Sequence, residues 1–420
     1  MKALILAAGK GLRLRPITET RPKPLIPILC KPLIRWQLEI LNTIDEIDEI
    51  TIVVSYMKES IRNYVESLSL RKKITFIDQG EEMGTGDAVL KGISNYDPDD
   101  DVLIVYGDIF LRDWTFLKEL VNRSENILVV ARVDNPREYG VVIVENDLFK
   151  DVIEKPDKPP TNMVNAGIYK FRVKDILENK DIKLSPRGEL EFTDIVRRIG
   201  DKTDVKILDL GKDSWVDIGM PWNLLEANKL ALKNIQHEIK GIVEDHVSIN
   251  GRVYVGEDAR VRSGTYIEGP VYIDREADIG PNARIRPYTV ICKGSRVGFS
   301  VEVKESLIME HVHVSHLSYV GDSILCEHVN FGAGTITANL RFDDKPVKMM
   351  VKGKIISSGR RKLGAVVGAY VKTGINVSLM PGVKIGSYSW IAPGAVVYKD
   401  VPSKKFYRWE GRYYIEDLHI

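Results

Sequence analysis

A beat of six residues constrains this chain more than any other feature. Residues Val247, Val253, Ala259, Thr265, Val271, Ala277, Ala283 and Thr289 are small or apolar and stand six positions apart. Two residues after each, Ile249, Val255, Val261, Ile267, Ile273, Ile279, Ile285 and Ile291 form an unbroken apolar column. Only a solenoid holds one period so long, because each repeat buries its apolar face against the next. Six-residue steps, three to a coil, predict a left-handed parallel β-helix. One step shortens to five residues before Val312, and the beat resumes at Val371, Val377 and Val383. Six or seven coils are expected, a prism about 30 Å tall at ~4.8 Å per coil. Prisms of this kind assemble through their faces, so a homotrimer or a multiple of trimers is expected. The beat fails over 339–364, where Arg341, Lys345, Lys348, Lys352, Lys354, Arg360, Arg361 and Lys362 make a basic loop expelled from the coils.

The first half follows another rule. Short apolar runs such as Ala3 to Ala7, Ile50 to Val54 and Val102 to Tyr106 alternate with helical periods such as Ile34 to Ile44. That alternation predicts a βαβ domain with a parallel sheet, whose ligands bind where strands end. The expected organisation is a Rossmann-like α/β domain over 1–220, a linker helix over 221–242, the β-helix over 243–402 and an aromatic tail over 403–420. Sixty basic residues balance 59 acidic ones, so no global field recruits nucleic acid or an anionic membrane. Cys30, Cys292 and Cys326 are far apart and lack CxxC spacing, which argues against a disulfide framework and a zinc finger and fits a reducing cytoplasm. The apolar start, Lys2 to Ala8, is too short for a signal peptide or a membrane span and reads as a buried strand.

After the first strand comes Leu6-Ala-Ala-Gly-Lys-Gly-Leu-Arg13-Leu-Arg-Pro16, then Arg21-Pro-Lys23-Pro-Leu-Ile-Pro27. Glycines there let backbone amides approach phosphates, and Arg13 and Lys23 add cationic donors. The arrangement resembles the signature of the sugar-nucleotide pyrophosphorylases, with Leu12 departing from the Thr or Ser often found in that loop. The resemblance continues in order through Gln79, Gly84-Thr85-Gly86, Tyr106-Gly107-Asp108, Tyr139-Gly140-Val141, Glu154-Lys155-Pro156, Asn165-Ala-Gly-Ile-Tyr169 and Trp215-Val-Asp217-Ile-Gly219. It implies that Leu6, Ala8, Gly9, Gln79, Gly84 and Thr85 bind UTP or dTTP. It implies too that Gly140, Glu154 and Asn165 hold a sugar 1-phosphate, that Arg13 and Lys23 are catalytic, and that Asp108 and Asp217 share Mg²⁺. A hard cation that keeps water ligands suits two carboxylates.

Within the repeats lies Val301-Glu-Val-Lys304, followed by His311-Val-His-Val-Ser-His316-Leu-Ser-Tyr319, Asn330 and Asn339. A β-helix needs none of these side chains. They resemble the acetyltransferase half of the bacterial bifunctional enzymes that acetylate glucosamine 1-phosphate and then uridylylate it. The resemblance implies that His316 is the general base, that Arg286, Lys304, Tyr319, Asn330 and Asn339 hold the acceptor, and that Ala369 to Ala392 meets acetyl-CoA. Leu340 stands where the family has Tyr, and the basic insertion is longer, so glucosamine and galactosamine 1-phosphate both stay open as acceptors. Three other readings also stay open: a β-helix serving only assembly or regulation, a non-catalytic regulator, and a zinc site from His311, His313 and His316. Strand alternation and the lack of Cys or carboxylate partners disfavour the last. Phe406, Tyr407, Trp409, Tyr413 and Tyr414 make the tail too aromatic to hang in water, and packing on a neighbour or on the coenzyme is expected.

Overall fold

In the computed structural model, residues 1–186, 188–411 and 413–417 are described. The chain forms two compact units. One comprises Met1–Lys10, Pro22–Leu25 and Pro32–Asp217, and the other Gly11–Arg21, Ile26–Lys31 and Ile218–Ile420. Two short segments of the expected first domain thus belong with the β-helix.

The first unit is built on a nine-stranded sheet. Its order is Lys73–Asp78, Glu49–Val54, Lys2–Leu6, Asp101–Tyr106, Met163–Arg172, Asn126–Arg132, Val205–Lys212, Leu148–Glu154 and Gly140–Glu145. The first four strands are parallel, as expected, and each is linked to the next through a helix or a longer crossover. Beyond them the sheet is mixed, because Met163–Arg172 runs antiparallel to both of its neighbours. The strand is buried along most of its length, and burial reads the same in either direction, so the sequence did not disclose the reversal. Gly107 follows the central strand, and a Cβ there would stand 2.5 Å from the Leu6 carbonyl. Only glycine lets these two strand ends approach, and they carry the Leu6 and Asp108 backbones.

The second unit is a left-handed parallel β-helix with two faces of eight strands and a third of ten. Eight rungs replace the six or seven expected, because Glu238–Ile239 and Ile242–Val243 already stack on the repeats. Both columns named above point inward, with Val253, Val255, Ala259, Val261, Thr265 and Ile267 all buried. The period shortens twice, not once: Ile291 pairs with Ile308 and Ile308 with Leu325, giving five-residue steps from Val303 to Ile308 and from Val320 to Leu325. Ser306 and Ser323 tighten these corners by donating to the carbonyls of Lys304 and Gly321, each at 2.7 Å.

Other differences have equally local causes. The helix after the first sheet covers Pro221–Leu232, not 221–242, and it is buried on nearly every side. It is therefore a packed element and not a spacer. The basic insertion is a hairpin of Lys348–Val351 and Lys354–Ser357, with Val347, Met349 and Val351 buried. The tail continues the ten-stranded face as Lys405–Trp409 and Tyr413–Asp417. Tyr407 enters the core and donates its hydroxyl to the Val396 carbonyl at 3.0 Å, so it packs on its own coils. Residues 418–420 of the tail lie outside the described residues. Among the described residues no helix is long and apolar enough to cross a membrane.

The reading of the cysteines is overturned. Cys30 and Cys292 form a disulfide across 262 residues of sequence, with their Cα atoms 5.3 Å apart, while Cys326 is buried as a thiol. Spacing along the chain carries no information on a pairing made by tertiary structure. Unfolding without reductant is expected to expose one titratable thiol, and unfolding with reductant three. Loss of the bridge in Cys30→Ser should cost about 2–5 kcal/mol, read as a lower melting temperature that reductant does not lower further.

Candidate functional site

In the first unit, strand ends converge on a cavity of about 230 Å³ lined by Leu6, Ala8, Gly9, Gln79, Glu82, Gly84, Thr85, Ala88, Tyr106, Asp108 and Glu189. All six residues expected to bind the nucleotide line it together with Asp108. The segment between strand and helix is shaped for backbone contact: Gly84 has φ +105°, and a Cβ there would meet the Leu190 carbonyl at 2.5 Å. Gln79 is buried and donates to the Gly84 carbonyl at 3.0 Å and to Asp87 at 2.9 Å, which fixes its amide. Glu82 and Glu189 were missed, and no local pattern distinguishes them from other surface acids.

Asp108 opens the turn before Ile109–Leu111, and that strand pairs with Trp215–Asp217 so that Asp217 lies opposite Ile109. The two carboxylates expected to share a metal therefore stand at one end of a short ribbon. Lys23 donates to Asp108 Oδ2 at 2.5 Å. The ammonium and carboxylate hold each other in place, both partly solvated. Paired carboxylates at a strand end, with one cationic neighbour, suit a hard divalent cation that keeps water ligands.

Beside this cavity runs a hydrogen-bonded relay. Asn165 donates to the Tyr169 hydroxyl at 2.6 Å and accepts from the Gly167 amide at 3.0 Å, and Tyr169 donates to the Tyr106 hydroxyl at 3.2 Å. Burial pushes both phenols far above their ordinary range, so they stay protonated. Gly140 pairs in register with Glu154, and Thr193 reaches the same carboxylate at 3.4 Å. Glu154 also borders a larger, open cavity of about 760 Å³ that contains Lys155, Arg197 and Arg198. Arg13 sits in the turn Leu12–Leu14 and belongs with the second unit.

On the β-helix, Arg286, Lys304, Tyr319 and Asn339 stand along one face of successive coils. Arg286 donates to Glu302 at 2.9 Å. Lys304 donates to both oxygens of Asp322, at 2.9 and 3.0 Å, and Asn339 donates to Asp322 at 2.6 Å and to the Tyr319 hydroxyl at 3.0 Å. Asp322, 1% exposed, is the hub that the sequence reading did not single out. Arg360, expected in an expelled loop, folds back to donate to Glu305 at 2.5 Å. Burial opposes the Glu305 charge, yet Arg360 overcomes it and holds the carboxyl below its usual range. The shortened steps set this cluster at the corner.

His316 and Asn330 lie on the adjoining face, both exposed, with His316 opposite Phe299 and Asn330 opposite His313. Within one chain the structure therefore gathers four of the six acceptor-site residues and leaves these two around the corner. Ala369 is buried in the coils, and Ala392 is half-buried on the next face, just over one rung later.

Comparison with known proteins agrees with this layout. The nucleotidyl transferase family model matches residues 2–234 and the GMPPB C-terminal domain model matches residues 267–374. The bifunctional sugar-1-phosphate nucleotidylyltransferase/acetyltransferase of Sulfurisphaera tokodaii is 49% identical over 97% of this chain and all of its own length. This chain belongs to that bifunctional family. The bifunctional protein GlmU of Methanocaldococcus jannaschii is 46% identical over 97% of both chains, and that of Thermotoga petrophila is 29% identical over 96% of this chain and 94% of its own. Family membership spans both units, so the cavity of the first and the polar cluster of the second are its two candidate centres.

Breaking the Asp322 hub tests which ion pairs matter for stability. Asp322→Asn removes the nearest carboxylate from the half-buried Lys304 ammonium, leaving Glu305 at 3.8 Å, and should cost about 3 kcal/mol. Glu268→Gln, which breaks the surface pair with Arg284, should cost less than about 1 kcal/mol. Thermal melts of the two variants check the contrast.

Proposed function

We propose that the chain transfers a nucleotidyl group from UTP or dTTP to a hexose or N-acetylhexosamine 1-phosphate, and that it N-acetylates glucosamine or galactosamine 1-phosphate with acetyl-CoA. The observation that carries the first activity is the cavity where all six nucleotide-binding candidates meet Asp108. The second draws its support from the shared face of Arg286, Lys304, Tyr319 and Asn339 together with the exposed imidazole of His316 around the corner.

In the first reaction a phosphate oxygen of the sugar phosphate attacks the α-phosphorus, and the bond to the bridging oxygen breaks to release pyrophosphate. A phosphate monoester is mostly dianionic near neutral pH, since its second pKa is about 6, so no protein base is required. Gly84, Thr85 and the Gly9 backbone cradle the nucleotide, while Asn165 and Glu154 orient the sugar. Lys23 and Arg13 stabilise charge on the α-phosphate and on the departing pyrophosphate. Asp108 and Asp217 would hold Mg²⁺, which supplies charge neutralisation across the phosphates.

In the second reaction the amine nitrogen attacks the thioester carbonyl, the carbon–sulfur bond breaks, and coenzyme A leaves as the thiol. His316 accepts the amine proton. Lys304 and Arg286 meet the acceptor phosphate, exchanging their carboxylate partners for it. The co-substrates are cytoplasmic metabolites, which agrees with a cytoplasmic enzyme. Because His316 lies around the corner from the polar cluster, a trimer whose faces adjoin would let one copy's imidazole face its neighbour's cluster.

Two experiments test the reading. Asp108→Asn and Asp217→Asn should each lower Mg²⁺-dependent pyrophosphate release by about 10²–10³-fold, the effect of several kcal/mol of lost charge stabilisation. Unchanged release removes the metal assignment. Thiol release from acetyl-CoA, with the two amino sugar phosphates offered in parallel, should name the acceptor and fall about 10²–10⁴-fold in His316→Ala. No release with either acceptor would reduce the β-helix to assembly.

A further inference from the structure

The segment that follows the phosphate-binding signature is tied to the edge of the β-helix at several points. Arg21 donates to both oxygens of Glu310, at 2.8 and 3.4 Å, and to Glu327 at 3.0 Å. These partners lie 289 and 306 residues away in sequence. Glu19 accepts the backbone N–H of Ser387 at 2.9 Å. The disulfide from Cys30 to Cys292 holds the companion segment Ile26–Lys31 to the same edge.

That edge is itself stiff. At the corner after Glu310 and Glu327, the rings of His311, His328, Tyr370 and Tyr388 stack with centroids 5.2, 4.7 and 4.9 Å apart. From Cys292 to Ser387 the attachments span four rung intervals, about 19 Å. Inside the segment, Leu14, Ile17 and Thr18 are buried, and Thr18 donates to the Gly11 carbonyl at 2.8 Å. A glycine-flanked turn of this length would otherwise sample many conformations.

Burial alone would raise the Glu310 carboxyl, but Arg21 overcomes it and holds the group below its usual range. Glu310 and Arg21 thus face each other as a charged pair. Its structural logic is attachment.

We propose that Arg21 is a positioning residue for nucleotidyl transfer: by bridging Glu310 and Glu327 it fixes the Gly11–Arg21 segment, and hence Arg13, against the β-helix. The inference rests on the assignment of Arg13 to the nucleotidyl reaction. Displacing a catalytic group by about 1 Å can cost on the order of a hundredfold, which sets the size of the expected effect.

The test uses the full-length protein and measures, in each preparation, pyrophosphate release, acetyl transfer and melting temperature. Arg21→Gln should lower kcat for nucleotidyl transfer about 10–100-fold, with KM for the sugar phosphate within about twofold and acetyl transfer retained. Arg21→Lys, which keeps the charge, should recover most of the loss. Wild-type kcat in Arg21→Gln overturns the proposal, as does a parallel fall of both activities, which marks a merely structural role. Should Arg21→Gln fail to fold, Glu327→Gln keeps the Glu310 pair and carries the same two outcomes. Arg13→Ala is run alongside: full activity there sinks the assignment of Arg13, separately from any result on the Arg21 attachment.

Discussion

Inward stacking of one apolar side chain on its equivalent in the next coil governs the second unit. Each strand of the coils is two to four residues long and could not exist alone. Because Ile249, Ile267, Ile285 and Val303 sit directly above one another, every coil must present a similar side chain at a similar height. That requirement leaves the corners to vary, and the polar chemistry collects there. Shortening a step by one residue draws Glu305 and Asp322 toward the face that bears Lys304, without disturbing the column behind it.

The charges of both units follow one pattern. Lys23 is held by Asp108, Lys304 by Asp322, Arg286 by Glu302 and Arg360 by Glu305. Each of these four cations already has a carboxylate within hydrogen-bond distance. Such partners fix long, flexible side chains in place and reduce the conformational entropy lost when a substrate arrives. They also lower the net field of each site, so binding must come from geometry as much as from attraction.

What could be read in advance divides along physical lines. Periodic features were legible: the six-residue column of Ile267 to Ile291, the strand ends at Ala8, Gln79 and Asp108, and the break at Asn339. These depend on neighbours in sequence. Features made by distant contacts were not. The Cys30–Cys292 bridge and the Arg21 triad join residues hundreds of positions apart, and the antiparallel direction of Met163–Arg172 leaves no trace in its composition. The second shortened step was hidden because Ile324, Leu325 and Cys326 are all apolar and all buried, so the beat can be counted through them in two ways.

Attachment of Glu19 to Ser387, 368 residues later, also orders events in time. During synthesis the segment Gly11–Arg21 is made long before its docking edge, which is completed only once Ser387 and its coil have been added. At ~5–20 residues per second the wait is roughly 20–70 s. Met1–Lys10 and Pro32–Asp217 can gather their sheet during that interval while the intervening turn stays unanchored. Docking of this segment is therefore coupled to synthesis of the late coils, and a chain truncated before Ser387 lacks part of the edge that holds it.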